Sequence, residues 1–510
     1  MDTFRTRDGL VRGRRSVPDV VAVLGIPYAA APFGANRFRA PRPAQPWTGV
    51  RDCDSFGPIS PQSACLPGAP SWSPGDEEVL TVNVWTPAAP DGSLPVLVWI
   101  HGGAYTFGSS AQPDFDGTAL ARAGLVMVTF NYRLGFEGFG SIPDGGETPY
   151  PESGETPYPE NRGLLDQIAA LRWVRENIAA FGGDPDNVTV AGQSSGAASI
   201  ACLMVMDRAR GLFRRAITHS VASPCYSVEL AAQTTRKVAA AAGIPATAVA
   251  LASASPQALV AASDKVVDDY RHDPDSGARH YDPVIYGPVA DGDILPTDPL
   301  TGIAAGAARE VDLLVCHTTQ EYWLLDAVGS SKKITTDEQL ARFAKDFGLP
   351  DDLVPGYRNL MPHAPVLDIY LTIYGDMLFA EYSSRLADTH AQAGGRAFMS
   401  RFARQRTGPH GEVHAWHNAD IPFAFGNITA TSTEFLIGGP PTTPDHHLSH
   451  TMMTAWTTFA TNGDPGWKPL NPSTTPAHIW TTEDSTTPTQ PSIADRQELW
   501  RTHNYPLLRP

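Results

Sequence analysis

The sequence predicts an α/β fold with a central, mostly parallel sheet and helices on both faces, and three observations carry that prediction. Short apolar runs rich in β-branched residues recur along the chain, a helix-period segment separates two of them, and paired glycines end that segment. The runs are PVLVWI (Pro95–Ile100), LVMVTF (Leu125–Phe130) and NVTVAG (Asn187–Gly192). Apolar on both faces, they suit strands covered by helices on each side. Between the last two lies GLLDQIAALRWVRENIAAFG, where Leu164, Ile168, Leu171, Val174 and Ile178 share one helical face until Gly182-Gly183 stops the pattern. Such a strand–helix–strand unit crosses over to a parallel neighbour.

The remaining segments fit around that frame. The amino terminus, MDTFRTRDGLVRGRR, has no apolar core of a secretory signal, so a cytoplasmic location is expected. GETPYPESGETPYPEN, residues 146–161, repeats GETPYPE in tandem; its prolines and glycines predict an exposed loop, either a lid or a neutral duplication. Val238 to Ser263 carries two prolines and many alanines, too weakly apolar and too broken to span a membrane. Two short surface helices are expected there. The Thr/Pro-rich stretch from Trp467 to Pro510 reads as extended chain over the body. In DHHLSH, His446 and His450 sit one helical turn apart with no acidic third ligand, so Asp445 as a helix N-cap is preferred to a zinc site.

The bulk numbers exclude some functions. The 510 residues are 42% hydrophobic and 18% charged, ample for a large core, and the formal net charge is −16. That charge argues against nucleic acid or an anionic membrane as partner. Five cysteines at irregular spacing, with no CxxC pair, read as reduced thiols. Neither metal nor cofactor is expected.

Chemistry enters at VTVAGQSSGAASI (Val188–Ile200). Gly-Gln-Ser-Ser-Gly fits G-x-S-x-G only with Ser194 at its centre. That pattern is a sharp strand-to-helix turn that lifts the serine hydroxyl above the sheet edge. Ser195 then contributes its N–H to a developing oxyanion, with its side chain turned elsewhere. A second donor set follows the strand PVLVWI: Gly102, Gly103 and Ala104 let backbone N–H groups converge on one oxygen. Tyr105, Gln193 and Phe423 are candidate substrate contacts together with Gly102. His101 is either a substrate contact or packing for the strand end. The Trp and Phe residues of Trp99–Phe107 and Phe423–Phe425 divide between core and site wall.

These residues resemble the type B carboxylesterase/cholinesterase family of α/β-hydrolases, over nearly the whole chain. GIPYAAAPFGANRFRAPRP, EEVLTVNVWTP, NYRLGFEGF, AWTTFATNGDP and, most specifically, Asn161–Ala197 look like the family's successive blocks. The resemblance implies an α/β-hydrolase fold in one domain, 1–510, with cap-like helical insertions at roughly 225–285 and 330–395. It also implies ester hydrolysis by a triad in the order Ser…Glu…His. In LLVCHTTQEYWLL the acid falls on Glu321, with Asp326 the fallback, although Cys316 and Tyr322 replace glycines usual in the family. The family pattern His-x-x-(Asp/Glu)-x-Pro-(Phe/Tyr) fits His417, with Asp420, Pro422 and Phe423 at the right offsets; His414 does not fit. His219-Ser220 resembles the family's post-strand serine.

Two departures carry expectations. Gln193 and Ser195 stand where the family most often has Glu and Ala, and a neutral Gln193 implies a weaker preference for cationic, choline-like esters. Ser60 and Val79 stand where an early disulfide would be. The expected partner is a small-molecule ester, the expected state a monomer or small homo-oligomer. Two other readings are the same triad on an amide, thioester or lactone, and a silent binding protein.

Overall fold

The apolar runs become strands of one ten-stranded sheet in a computed structural model that describes residues 2–64, 71–89, 92–143, 157–222, 225–281, 284–408, 411–471, 477–483, 492–505 and 507–509. The strands are β1 (Arg14–Val17), β2 (Val20–Pro27), β3 (Thr81–Pro87), β4 (Leu94–Ile100), β5 (Val126–Phe130), β6 (Gly183–Gln193), β7 (Arg215–His219), β8 (Asp312–Thr318), β9 (Ala397–Phe402) and β10 (His478–Trp480). Their spatial order is β10-β9-β8-β7-β6-β4-β5-β3-β2-β1. From β10 to β5 every neighbouring pair is parallel, and the remaining edge is antiparallel.

Period-two alternation sends successive side chains into two cores. Val96, Val98 and Ile100 of β4 join Val188 and Val190 of β6 on one face, packed against α1 (Arg162–Asn177) and α2 (Ser195–Val205). Leu164, Ile168, Leu171, Val174 and Ile178 are all buried there, as their spacing predicts. Gly182, in the left-handed region at φ 81°, ends the helical stretch one residue before β6 begins. Leu97, Trp99 and Ala191 point the other way, against Phe425, Trp456 and Phe459. A buried ion pair pins α1 to the loop after β5. Arg133 Nε and Nη2 each lie 2.7 Å from Asp166, whose Oδ2 also accepts the Arg133 backbone N–H.

The segment from 225 to 285 contains α3 (Val228–Ala241), α4 (Ala248–Ser253) and α5 (Pro256–His272). The run Val238–Ser263 therefore spans parts of three helices, not two short ones, because Thr247 and Ser255 each cap a new start with their hydroxyls. The segment from 330 to 395 holds α6 (Asp337–Asp346), α7 (Leu353–Leu360), α8 (Val366–Gly375) and α9 (Glu381–Gln392). A π-helical turn, Asp376–Ala380, joins the last two. Phe343, Tyr357, Tyr370 and Tyr374 build a separate apolar cluster, closed by Trp500.

Two further expectations need correction. The stretch after Trp467 is not simply extended: β10 adds to the sheet edge beside β9, and Ile493–Trp500 forms a helix capped by Ser492. In the helix α10 (Thr443–Asn462) the N-cap is Thr442, and Asp445 is the third residue of a reciprocal capping box that also pairs with Arg404. His446 and His450 are both exposed on that helix. The tandem loop and Cys65 lie largely or wholly outside the described residues. Among the described residues no helix is long and apolar enough to cross a membrane, and Cys53, Cys202, Cys225 and Cys316 are free and buried.

Candidate active site

The carboxyl ends of the parallel strands converge, the place where α/β sheets bind ligands. Gln193 at the end of β6 is in register with His219 at the end of β7, which in turn pairs with Cys316 of β8. Each predicted site segment leaves one of these ends. His101–Tyr105 follows β4, Ser194 follows β6, Ser220 follows β7 and Glu321 follows β8. His417 arrives from the loop beyond β9.

Ser194 has φ 56° and ψ −124°, a conformation L-residues rarely hold, between the last residue of β6 and the first of α2. Its N–H donates to His219 O at 2.9 Å, which anchors the turn to β7. Ser195 is fully buried, hydroxyl included. Its backbone N–H heads α2 and donates to no protein acceptor among the described residues, and the same is true of the Gly103 and Ala104 N–H groups. Gly103 has φ 118°, and a Cβ there would stand 1.8 Å from Phe107 O, so only glycine closes this turn. Ala104 follows at φ 53°. A Cβ on Gly102 would strike the Gln193 amide oxygen at 2.7 Å; the bare glycine leaves the room that Gln193 and Ser194 occupy.

Glu321 and His417 meet directly. His417 Nδ1 lies 2.7 Å from Glu321 Oε2, and the His417 backbone N–H donates to Glu321 O at 3.0 Å. The other carboxylate oxygen accepts from Ser220 Oγ at 2.7 Å and from Thr318 N at 2.8 Å. Three donors thus fix a carboxylate that is almost wholly buried. Ser220 itself sits at φ 50°. The alternatives fall elsewhere: Asp326 pairs with Lys333, and His414 is bonded to Gln320.

Some predicted contacts leave the site. Phe423 is fully buried, with its ring against Phe402 and under the Arg404 guanidinium, because its position one turn into Ile421–Phe425 faces the second core. Tyr105 packs its ring on Phe139, inward of the loop it belongs to. His101 is packing: its ring stacks on Tyr132, Nδ1 meets Gly102 O, and burial pushes its pKa down to about 4. Gln193, by contrast, reaches the imidazole directly, with its amide nitrogen 2.8 Å from His417 Nε2.

Sequence reading missed Phe379. The π-helical turn carries its ring to 4.2 Å from His417, tilted by 33°. Asp376, in the same turn, is bound by Arg496 and by Tyr357 Oη. No local pattern marks a π turn, so nothing in the sequence pointed to this contact. Behind the site lies a buried group of His219, Cys316 and Asp420, whose donor atoms fall within 4.8 Å of one another. It makes a poor metal site. His219 and Asp420 are already bonded at 2.5 Å, and burial beside Asp420 raises the Cys316 thiol well above its ordinary pKa.

The geometry agrees with what the chain is similar to. Residues 2–499 match the carboxylesterase family. A para-nitrobenzyl esterase of Bacillus subtilis is 36% identical over 88% of this chain and 87% of its own length. A fumonisin B1 esterase of Sphingopyxis macrogoltabida is 32% identical over 90% and 82%. The solved structure of a Geobacillus stearothermophilus carboxylesterase superposes with a TM-score of 0.83 at 34% identity, covering 98% of this chain and 100% of that one. The chain therefore belongs to the carboxylesterase family, with an α/β-hydrolase fold, and is a carboxylic ester hydrolase.

Proposed function

We propose that the protein cleaves small carboxylic esters through an acyl-enzyme formed on Ser194. Ser194 Oγ attacks the carbonyl carbon while His417 Nε2 takes its proton, and Glu321 holds the ring and balances the imidazolium. The N–H groups of Gly103, Ala104 and Ser195 receive the tetrahedral oxyanion, worth about 3–4 kcal/mol per strong donor. His417 then gives its proton to the leaving alcohol. Water repeats the cycle and releases the acid. The observation that carries this reading is the 2.7 Å His417–Glu321 bond beside the strained turn at Ser194.

The test is mass spectrometry of the folded protein after a fluorophosphonate, with peptide mapping. One adduct on Ser194, lost on prior heating, is expected. An adduct on Ser195 or none at all would overturn the assignment. Matched ester and anilide substrates separate an esterase from an amidase using the same residues.

A further inference from the structure

Both ring nitrogens of His417 are engaged. Glu321, a carboxylate, only accepts, so Nδ1 carries the ring proton and Nε2 presents its lone pair. The atom facing that lone pair is the Gln193 amide nitrogen, which only donates. Gln193 is buried, and its oxygen lies over the bare Cα of Gly102. A neutral donor thus occupies the lone pair that would take the Ser194 proton.

We propose that Gln193 is a positioning residue that holds His417 in its neutral form between turnovers and yields Nε2 to Ser194 when substrate binds. The inference rests on the triad reading above. A donor on Nε2 stabilises imidazole over imidazolium. When the Ser194 proton arrives on Nε2, two N–H groups would face each other. A half-turn of the amide about Cγ–Cδ then presents its oxygen as acceptor, so the same side chain serves both protonation states without changing charge. A carboxylate at this position would do the opposite, favouring imidazolium throughout.

The other groups packed around the ring are accounted for. Glu321 is on Nδ1, and the Phe379 ring covers one face. Asp376, from the same turn as Phe379, is engaged by Arg496 and Tyr357. Asp420, three residues beyond His417, is engaged by His219. Residue 193 is therefore the site at which a charge reaches Nε2 directly.

The experiment is the pH profile of kcat/KM on a neutral ester for the wild type, Gln193→Glu and Gln193→Met. In Gln193→Glu the acid limb is expected to move up by about 1–3 pH units. In Gln193→Met, which keeps the volume but loses the donor, it moves the same way by less. Coincident acid limbs for the wild type and folded Gln193→Met would overturn the proposal, whatever the fate of the glutamate variant. Failure of wild-type Ser194 to take a fluorophosphonate would instead remove the triad beneath it. A residue that merely fills space would change rates without moving the limb.

Discussion

Replacing Gly103 by alanine tests the proposed oxyanion site at its most constrained point. The added Cβ would lie 1.8 Å from Phe107 O, against the 3.4 Å at which ordinary contact begins, so the loop must open by about 1.6 Å. The φ of 118° adds strain of about 1–3 kcal/mol for any residue with a Cβ. Relief of both rotates the peptide planes that carry the Gly103 and Ala104 N–H groups. Loss of one such donor lowers kcat by about 10²–10³, or roughly 2.7–4 kcal/mol of transition-state stabilisation. The assay is steady-state hydrolysis of a chromogenic ester, with circular dichroism confirming the fold. Gly124→Ala is the control, since Gly124 also has positive φ but open space around it. Its activity should be unchanged. A folded Gly103→Ala enzyme retaining more than about a fifth of wild-type kcat/KM would refute the assignment of these N–H groups.

Asp166→Asn leaves the Arg133 guanidinium buried without its counter-charge and should cost about 3–5 kcal/mol of stability, read from the guanidinium chloride midpoint; a loss under about 1 kcal/mol would show the pair to be dispensable. Stability should also fall in mild acid. Burial holds His101 at about 4 and His317 at about 3, whereas both titrate near 6.5 when unfolded. Both folded values are depressed, so below pH 6.5 the unfolded chain binds more protons and stability declines as pH falls towards 4, by about 3 kcal/mol from His101 alone. A flat melting temperature between pH 6.5 and 4.5 would contradict that burial. With a neutral Gln193 at the site, a choline ester should be hydrolysed no better than its neutral isostere; a marked choline preference would place another anion near the leaving group.

Much of this was readable because periodicity and turn chemistry are local. The runs around Val98, Val128 and Val190 had to be two-sided strands, and G-x-S-x-G fixed which of two adjacent serines would sit in the strained turn. What escaped depends on facing, which a one-residue change of direction reverses. Phe423 keeps the spacing that helped to identify His417, yet its ring points into the second core. Tyr105 shares the loop of Gly103 and Ala104 and turns inward. Composition misled at the far end of the chain, where a Thr/Pro-rich stretch hides a Ser492-capped helix. The Ser-x-x-Asp signal is present there, as is Thr-x-x-Asp at Thr442, where Asp445 is the third residue of the box and not its cap. Phe379 had no such signal, since a π turn is set by packing between helices.

The docking of that late helix has a consequence in time. Arg496 binds Asp376 in the turn that carries Phe379 onto His417, and Trp500 closes the cluster beneath it. During synthesis Ser194, Glu321 and His417 all leave the ribosome before Arg496 does. Until Arg496 follows, Asp376 lacks the guanidinium that hydrogen-bonds both its carboxylate oxygens. The contact that ties the Phe379 turn to the late helix is thus among the last that the growing chain can make.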